Sequence, residues 1–282
     1  MNNDRTSNLS DAFHGWLRPG PRPPGGVAVE EGETLDYISG HFGIFQFERG
    51  HRFSTDDVLT AWYATQWAPR VGLAADLGSG IGSVALVLAW RLPGARVVTV
   101  EAQADSVRLA RKSVRYNGLE PRFTVHHGDL REFVTDERFD LVTGSPPYFP
   151  AGTAVEAEHP QAVPARIEVR GTVADYAATA ARILAPGGIF VFVFPFDQRG
   201  RAEQAVTANG LVLLRRRDVV FKEGEPPRIS LFAAARAADL PAQDAPWIEP
   251  PLVIRSADGA MHPEYRMVRL SFGFPPGDVP SI

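Results

Sequence analysis

Several residue types and features are scarce or missing, and each absence removes a class of function. The sequence contains no cysteine, which excludes disulfides, Cys-ligated zinc, iron–sulfur clusters and a thiol nucleophile. No apolar run reaches the ~18 residues of a membrane span, and the polar first residues lack the apolar core of a secretory signal. We therefore expect a cytoplasmic protein with no membrane partner. A net charge of −4 gives no overall basic field, so a nucleic-acid surface would have to be a local patch.

The composition that remains is typical of an ordinary folded protein. The 282 residues are 44% hydrophobic and 22% charged, which is enough for a sizeable core without cross-links. Residues 1–34 are polar and then rich in Pro and Gly, which predicts a mostly disordered tail. Residues 35–70 predict a hairpin and a helix that cap the core. Residues 237–282 predict an extension that packs back on the core as a strand or a helix.

Residues 71–236 alternate between strand and helix signals, and this alternation determines the expected fold class. The predicted strands are seven short apolar runs: 73–78, 96–101, 122–129, 139–144, 189–194, 211–221 and 228–235. Repeated β-α units predict an α/β protein with a mostly parallel seven-stranded sheet and helices on both faces. In such a sheet the ligand binds at the carboxyl ends of the strands.

A glycine-rich loop follows the first of these strands and opens a helix. It contains Asp76, Gly78, Ser79, Gly80 and Gly82. Glycines in this context let the backbone turn sharply and approach a ligand closely. Glu101 ends the next strand about 20 residues further on, where a carboxylate reaches ribose hydroxyls. Together these residues predict an adenosyl cofactor, but they do not distinguish NAD from others.

Two further motifs follow the third and fourth strands. His127-Gly128-Asp129 ends the third strand, and Ser145-Pro146-Pro147-Tyr148-Phe149 follows the fourth. With these motifs the sequence resembles the class I S-adenosylmethionine-dependent methyltransferases, which have a Rossmann-like fold. The resemblance implies S-adenosyl-L-methionine as cofactor, Glu101 on its ribose and Asp129 on its adenine. The implied cofactor-binding residues are Thr55, Asp76, Gly78, Ser79, Gly80, Gly82, Glu101, Ala102, Asp129 and Leu130.

The Ser-Pro-Pro-Tyr tetrad is similar to the motif of methyltransferases that act on planar amino groups. Such a nitrogen is conjugated with its ring and is a poor nucleophile, so acceptors must bind its hydrogens and aim it at the methyl group. The Ser145 side chain and the Pro146 carbonyl can supply two acceptors, and Pro147 helps to fix the backbone. Tyr148 and Phe149 can stack on an unstacked base. The resemblance implies that Ser145, Pro146, Pro147 and Tyr148 are the catalytic residues, although Ser reaches less far than the commoner Asn.

The segment Phe53-Ser54-Thr55-Asp56-Asp57-Val58-Leu59 narrows the resemblance. It is similar to the segment before the glycine loop in the bacterial tRNA (adenine37-N6)-methyltransferases, which modify valine tRNA beside the anticodon. This implies that Thr55 approaches the cofactor carboxylate and that the substrate is an adenine N6 amino group in tRNA. Arg166 and Arg170 follow the tetrad, where we expect them to contact RNA phosphates.

Four other functions remain to be distinguished from adenine methylation. A protein-glutamine N5-methyltransferase would use the same tetrad on a side-chain amide. A non-catalytic S-adenosylmethionine-binding protein would keep the glycine loop but ignore the tetrad. A dehydrogenase would need a catalytic His, Tyr or Lys constellation that the sequence lacks, and a DNA methyltransferase would need an added recognition domain. No metal-ligand spacing is present, so we expect no metal.

Overall fold

An eight-stranded sheet runs through the computed structural model, which describes residues 12, 13, 15–67, 70–149, 161, 167–240 and 246–276. The strands of this sheet are β5 (Leu73–Leu77), β6 (Arg96–Glu101), β7 (Phe123–His127), β8 (Phe139–Gly144), β9 (Leu184–Pro195), β10 (Leu211–Lys222), β11 (Ile229–Arg236) and β12 (Trp247–Arg255). Two hairpins precede it, formed by β1 (Ala12–Phe13) with β2 (Trp16–Leu17) and by β3 (Glu33–Ser39) with β4 (Phe42–Phe47). The helices are α1 (Thr55–Trp67), α2 (Ser83–Arg91), α3 (Ala104–Tyr116), α4 (Val173–Ile183), α5 (Arg199–Ala208) and α6 (Pro263–Ser271).

The strand order in the sheet is β12-β10-β11-β9-β8-β5-β6-β7. β11 runs antiparallel to its neighbours β9 and β10, and the other neighbouring pairs are parallel. The prediction of a mostly parallel α/β sheet is therefore confirmed, but the sheet has one strand more than the seven predicted. The additional strand, β12, contains Pro250 and Pro251, which lack the N–H that a central strand needs. It is tolerated because it lies at the edge of the sheet, where β10 is its one neighbouring strand among the described residues.

Two apolar cores lie on opposite faces of the sheet. The alternation of side chains along β9 divides it between them: Val191 and Val193 join one core, and Phe190, Phe192 and Phe194 join the other. The first core also contains residues of α1, α2, α3, α6 and the β3–β4 hairpin, whereas the second contains residues of α4 and α5. Helices on both faces were expected from the sequence.

Residues 15–34 differ from the disordered tail that their composition predicts. Val27 and Val29 pack against the first core, and the N–H of Gly25 donates to the carbonyl of Tyr116 at 3.1 Å. Proline and glycine prevent a helix or a central strand here. They do not prevent an extended segment from lying along a surface and burying its apolar residues.

The topology brings the sequence motifs to one edge of the sheet. β5, β6, β7 and β8 are parallel, so their carboxyl ends meet there. The chain moves from β5 through β6 to β7 in one direction and returns to place β8 on the other side of β5. This reversal is the topological switch point at which open α/β sheets bind ligands.

Candidate active site

The glycine loop joins the end of β5 to the start of α2. Gly78 and Gly80 have φ angles of +58° and +55°, in the left-handed region that side chains with a Cβ rarely adopt. A Cβ at Gly78 would lie 1.8 Å from the hydroxyl oxygen of Tyr176, whereas one at Gly80 would meet nothing within 4 Å. The loop is thus closed on one side by Tyr176 and leaves space beside Gly80.

Glu101 connects this loop to the end of β6. Its Oε2 accepts from the N–H of Gly80 at 2.8 Å, and its Oε1 accepts from the N–H of Gln103 at 2.6 Å. Burial raises the pKa of Glu101, although the backbone N–H groups and the positive charge of Arg170 oppose this change. A carboxylate can accept about four hydrogen bonds, so the two oxygens keep capacity for a ligand in the cavity that they line.

Asp76 lies at the bottom of the same cavity. Its Oδ1 accepts from the hydroxyl of Thr143 at 2.8 Å, but its buried Oδ2 has no partner among the described residues. Burial raises the pKa of Asp76 to about 7, and the charges of Asp57 and Glu101 add to the effect. A buried acceptor without a partner is costly. A cationic donor in the cavity would satisfy it and offset the clustered negative charge.

Arg170 lines this cavity, and Asp129 stands between two of its lining residues, Gly128 and Leu130. The guanidinium of Arg131 and its backbone N–H donate to Asp129, with distances of 2.6 to 2.9 Å, and these hydrogen bonds lower the pKa of Asp129. Arg170 lines the cavity and lowers the pKa of both Glu101 and Asp129 by its charge. Arg170 therefore lies beside the expected cofactor acids Glu101 and Asp129.

Ser145 lies between two cavities. The first cavity lies over the glycine loop, Asp76 and Glu101. The second cavity is lined by His51, Ser54, Asp56, Asp57, Ser145, Pro146, Tyr148 and Phe149. Ser145 borders both, and its buried Oγ has no hydrogen-bond partner among the described residues. A group that reached across from one cavity to the other would pass this oxygen.

Tyr148 is held from two sides. Its hydroxyl donates to Oδ2 of Asp56 on α1 at 2.7 Å, and its carbonyl accepts from Nε2 of Gln198 at 3.0 Å. Its ring meets Phe194 edge-on, with ring centroids 6.1 Å apart. Burial raises the pKa of Asp56. The ring of Tyr148 is consequently fixed at the wall of the second cavity before any substrate enters.

The structure adds residues that sequence reasoning missed. His51 and Asp57 line both cavities, and Tyr176 lines the first. Asp57 accepts from the backbone N–H of Ser54 at 2.8 Å, as a residue in the first turn of a helix commonly does. Its carboxyl is also buried, which raises its pKa to about 6. The helix-start pattern was recognisable in the sequence, but it gave no sign that this carboxylate faces a site.

The sequence-predicted residues fall into three groups. Lining the first cavity are Asp76, Gly78, Ser79, Gly80, Glu101, Ala102, Leu130, Ser145, Pro147 and Arg170, and lining the second are Ser145, Pro146, Tyr148 and Phe149. Three of the predicted residues line neither cavity. Gly82 precedes α2 and packs towards Ala110 on α3. Asp129 is paired with Arg131, and Thr55 lines a separate cavity beside α6. Arg166 lies outside the described residues.

Three consecutive basic residues on β10, Arg215-Arg216-Arg217, have the charge to contact phosphates, but the fold pairs their side chains with acidic groups. Arg216 donates to Glu203 at 2.8 Å and Arg217 donates to Glu264 at 2.5 Å, while Arg215 lies 3.7 Å from Glu249. No cluster of three metal-ligating side chains is present among the described residues. In the same part of the chain, no helix is long and apolar enough to cross a membrane.

Comparison with known proteins gives the family. Residues 57–203 match the methyltransferase small domain. A tRNA1(Val) (adenine(37)-N6)-methyltransferase of Tolumonas auensis is 30% identical over 226 residues, which cover 79% of this chain and 90% of the relative. A protein of the same name from Porphyromonas gingivalis is 30% identical over 241 residues, or 83% and 92% of the two chains.

The chain belongs to the tRNA1(Val) (adenine(37)-N6)-methyltransferase family. It is a methyltransferase, and its cofactor is S-adenosylmethionine.

Solved structures show the fold of this family member to be that of class I methyltransferases. A predicted O-methyltransferase of Agrobacterium tumefaciens superposes with a TM-score of 0.59 at 20% identity, covering 78% of this chain and 98% of that chain. A protein of Listeria monocytogenes, described as a putative class I S-adenosylmethionine-dependent methyltransferase, superposes with a TM-score of 0.51 at 14% identity, covering 71% of this chain and 68% of that chain. The Rossmann-like fold expected from the sequence is confirmed.

Proposed function

We propose that this protein transfers a methyl group from S-adenosylmethionine to the N6 amino group of an adenine beside the anticodon of a tRNA, in the cytoplasm. The relatives' names support this substrate, and the second cavity supports the chemistry. The observation that carries the proposal is the position of Ser145. Its unpartnered buried oxygen lies where the first cavity meets the second.

The first cavity fits S-adenosylmethionine by its donor and acceptor set. The unpartnered Oδ2 of Asp76 suits an ammonium group, and the remaining acceptor capacity of Glu101 suits ribose hydroxyls. The space beside Gly80 lets a ligand approach the backbone. When bound, S-adenosylmethionine supplies an electrophilic methyl group.

Thr55 and Asp129 fit this assignment less directly. Thr55 lines another cavity, whereas Asp57, two residues further along α1, lines the first cavity. The carboxylate of Asp129 is engaged by Arg131, so an adenine amino group would share it with that guanidinium. We retain Asp129 because its neighbours Gly128 and Leu130 line the cavity.

The chain's own residues would position the target amine rather than remove its proton in advance. The hydroxyl oxygen of Ser145 and the carbonyl of Pro146 would each accept a hydrogen bond from one of the two N–H groups of the amine. The fixed ring of Tyr148 would stack on the base. The aromatic ring of Phe149 is 40% exposed at the mouth of the second cavity, where it could hold a neighbouring base. Positioning of this kind needs no strong general base, because the methylated nitrogen is acidic.

The test is transfer of labelled methyl groups to unfractionated bacterial tRNA, ribosomal RNA, DNA and protein, followed by mass spectrometry of the nucleosides. We expect N6-methyladenosine in tRNA with the wild type, little with Ser145→Ala, and an undiminished amount with Thr207→Ala, which removes an exposed hydroxyl on α5. Label confined to protein would refute the proposal and favour glutamine methylation. Cofactor binding with no transfer to any acceptor would indicate a non-catalytic binding protein.

A further inference from the structure

A concave surface outside the two cavities carries a concentration of positive charge. We call it the basic groove, and its cations and rings are Lys222, Arg228, Arg255, Arg269, Phe221 and Tyr265. Among the described residues that line it, none is acidic. In a protein with a net charge of −4, four cations around one groove form the kind of local patch that a polyanion needs.

The positive charges of the basic groove are not neutralised by buried carboxylates of the described residues. Three of the four cations, Lys222, Arg255 and Arg269, have no carboxylate partner among the described residues. Arg255 donates to the carbonyl of Gly259 at 3.0 Å, and Arg269 donates to the carbonyl of Pro275 at 3.3 Å. Arg228 pairs with Glu225 at 3.4 Å, but both side chains are largely exposed, so this pair is weak. Carbonyl groups thus hold two guanidinium groups in place without neutralising them.

Two of these cations are direct neighbours in the sheet. Lys222 at the end of β10 is in register with Arg255 at the end of β12. Like charges on adjacent strands repel each other and destabilise the pairing. The adjacent Glu223 accepts from the N–H of Ala257 at 3.0 Å and does not line the groove. A bound anion would relieve the repulsion.

The basic groove lies on the same edge of the sheet as the candidate active site. β10 runs parallel to β9, since both are antiparallel to β11, and β9 is parallel to β8. Lys222 and Arg255 therefore end their strands on the side where Ser145 follows β8. With strands about 4.8 Å apart, β10 and β12 lie roughly 15 and 20 Å from β8 along this edge.

The first turn of α1 separates the basic groove from the second cavity. Thr55 lines the groove, whereas its neighbours Ser54 and Asp56 line the second cavity. A chain that entered the second cavity with one base could therefore continue over this turn into the groove. We propose that the basic groove binds backbone phosphates of the RNA on one side of the nucleotide that enters the second cavity. This inference rests on the proposed function, because it assumes an RNA substrate.

The test compares two pairs of substitutions that remove the same charge. Lys222→Gln with Arg255→Gln removes two of the four positive charges of the groove, and Arg70→Gln with Arg91→Gln removes two exposed positive charges at the opposite edge, beside the loops before β5 and β6. Binding of unfractionated bacterial tRNA is measured without cofactor at several salt concentrations. We expect the groove pair to weaken binding roughly tenfold or more and to lower the slope of log K against log salt by about 1.4 to 1.8. The control pair should change neither quantity.

Steady-state methyl transfer provides a second readout. The groove variant should raise KM for tRNA while the turnover at saturating tRNA and the affinity for S-adenosylmethionine stay at wild-type values. Arg228→Gln with Arg269→Gln should act in the same direction, which guards against a folding defect in the first pair. Groove variants that bind tRNA like the control pair, with an unaltered salt slope, would overturn the inference. Failure of the wild type to methylate any RNA would instead overturn the proposed function.

Discussion

Glu101 offers the sharpest test of the cofactor assignment, because the hydrogen bonds that its two oxygens already accept are known and the remaining acceptor capacity is the part assigned to the ribose. The side chain is 6% exposed, and each oxygen already accepts one backbone N–H, at 2.8 and 2.6 Å. Glu101→Gln keeps the shape of the side chain but replaces one oxygen with an NH₂ group. That group cannot accept from a backbone N–H or from a ribose hydroxyl.

The expected loss follows from the number of acceptors removed. A hydrogen bond to a charged group contributes about 1.5–3 kcal/mol, so losing one ribose acceptor should lower the affinity for S-adenosylmethionine by roughly 10- to 150-fold. The lost backbone hydrogen bond acts on the folded protein with or without cofactor, so the free energy of unfolding should fall by about 1–3 kcal/mol as well. Measuring both quantities separates the two effects.

Calorimetric titration with S-adenosylmethionine measures the affinity, and urea unfolding measures the stability. The matched control is Glu137→Gln, a partly exposed side chain that pairs with Arg96 at the start of β6. It should leave the affinity for the cofactor unchanged. If Glu101→Gln is folded, less stable than the wild type, and binds the cofactor with wild-type affinity, then Glu101 does not hold the ribose.

Three further predictions concern the second cavity. Tyr148→Phe and Asp56→Asn should each lower turnover at saturating cofactor. Because both break the same 2.7 Å hydrogen bond, the double variant should lose little more turnover than either single variant. Strictly additive losses of turnover would contradict the contact. Ser145→Ala should slow single-turnover methylation of tRNA on the order of tenfold to a thousandfold, since one positioned acceptor is lost. An unchanged rate would show that the role of the tetrad is structural only. Burial raises the pKa of Asp57 from 3.8 to about 6, so its ionisation costs the folded state stability as the pH rises through that interval. Asp57→Asn removes this cost, and its free energy of unfolding relative to the wild type should increase by about 3 kcal/mol between about pH 3 and about pH 8. A pH-independent difference in urea unfolding would show that Asp57 is not desolvated.

The sequence by itself determined the sheet, the glycine loop and the positions of Glu101 and Ser145. Each of these depends on a short segment: an apolar run, the glycines that follow it, or a motif directly after a strand. A parallel sheet places the carboxyl ends of such strands at one edge, so local patterns were enough to bring these residues together. The sequence predicted that residues 237–282 pack back as a strand or a helix, but it did not place β12 in the sheet, because an edge position is recognisable only when the whole sheet is assembled.

Only the tertiary structure decided which polar groups are satisfied and which face a cavity. The three arginines of Arg215-Arg216-Arg217 look like a phosphate site in the sequence, but the folded chain gives each an acidic neighbour. The basic groove shows the converse, because its cations come from distant parts of the chain: Lys222 ends β10, Arg228 precedes β11, Arg255 ends β12 and Arg269 lies on α6. Hydrogen bonds and charge balance depend on neighbours that are distant in sequence, and no local pattern of residues carries that information.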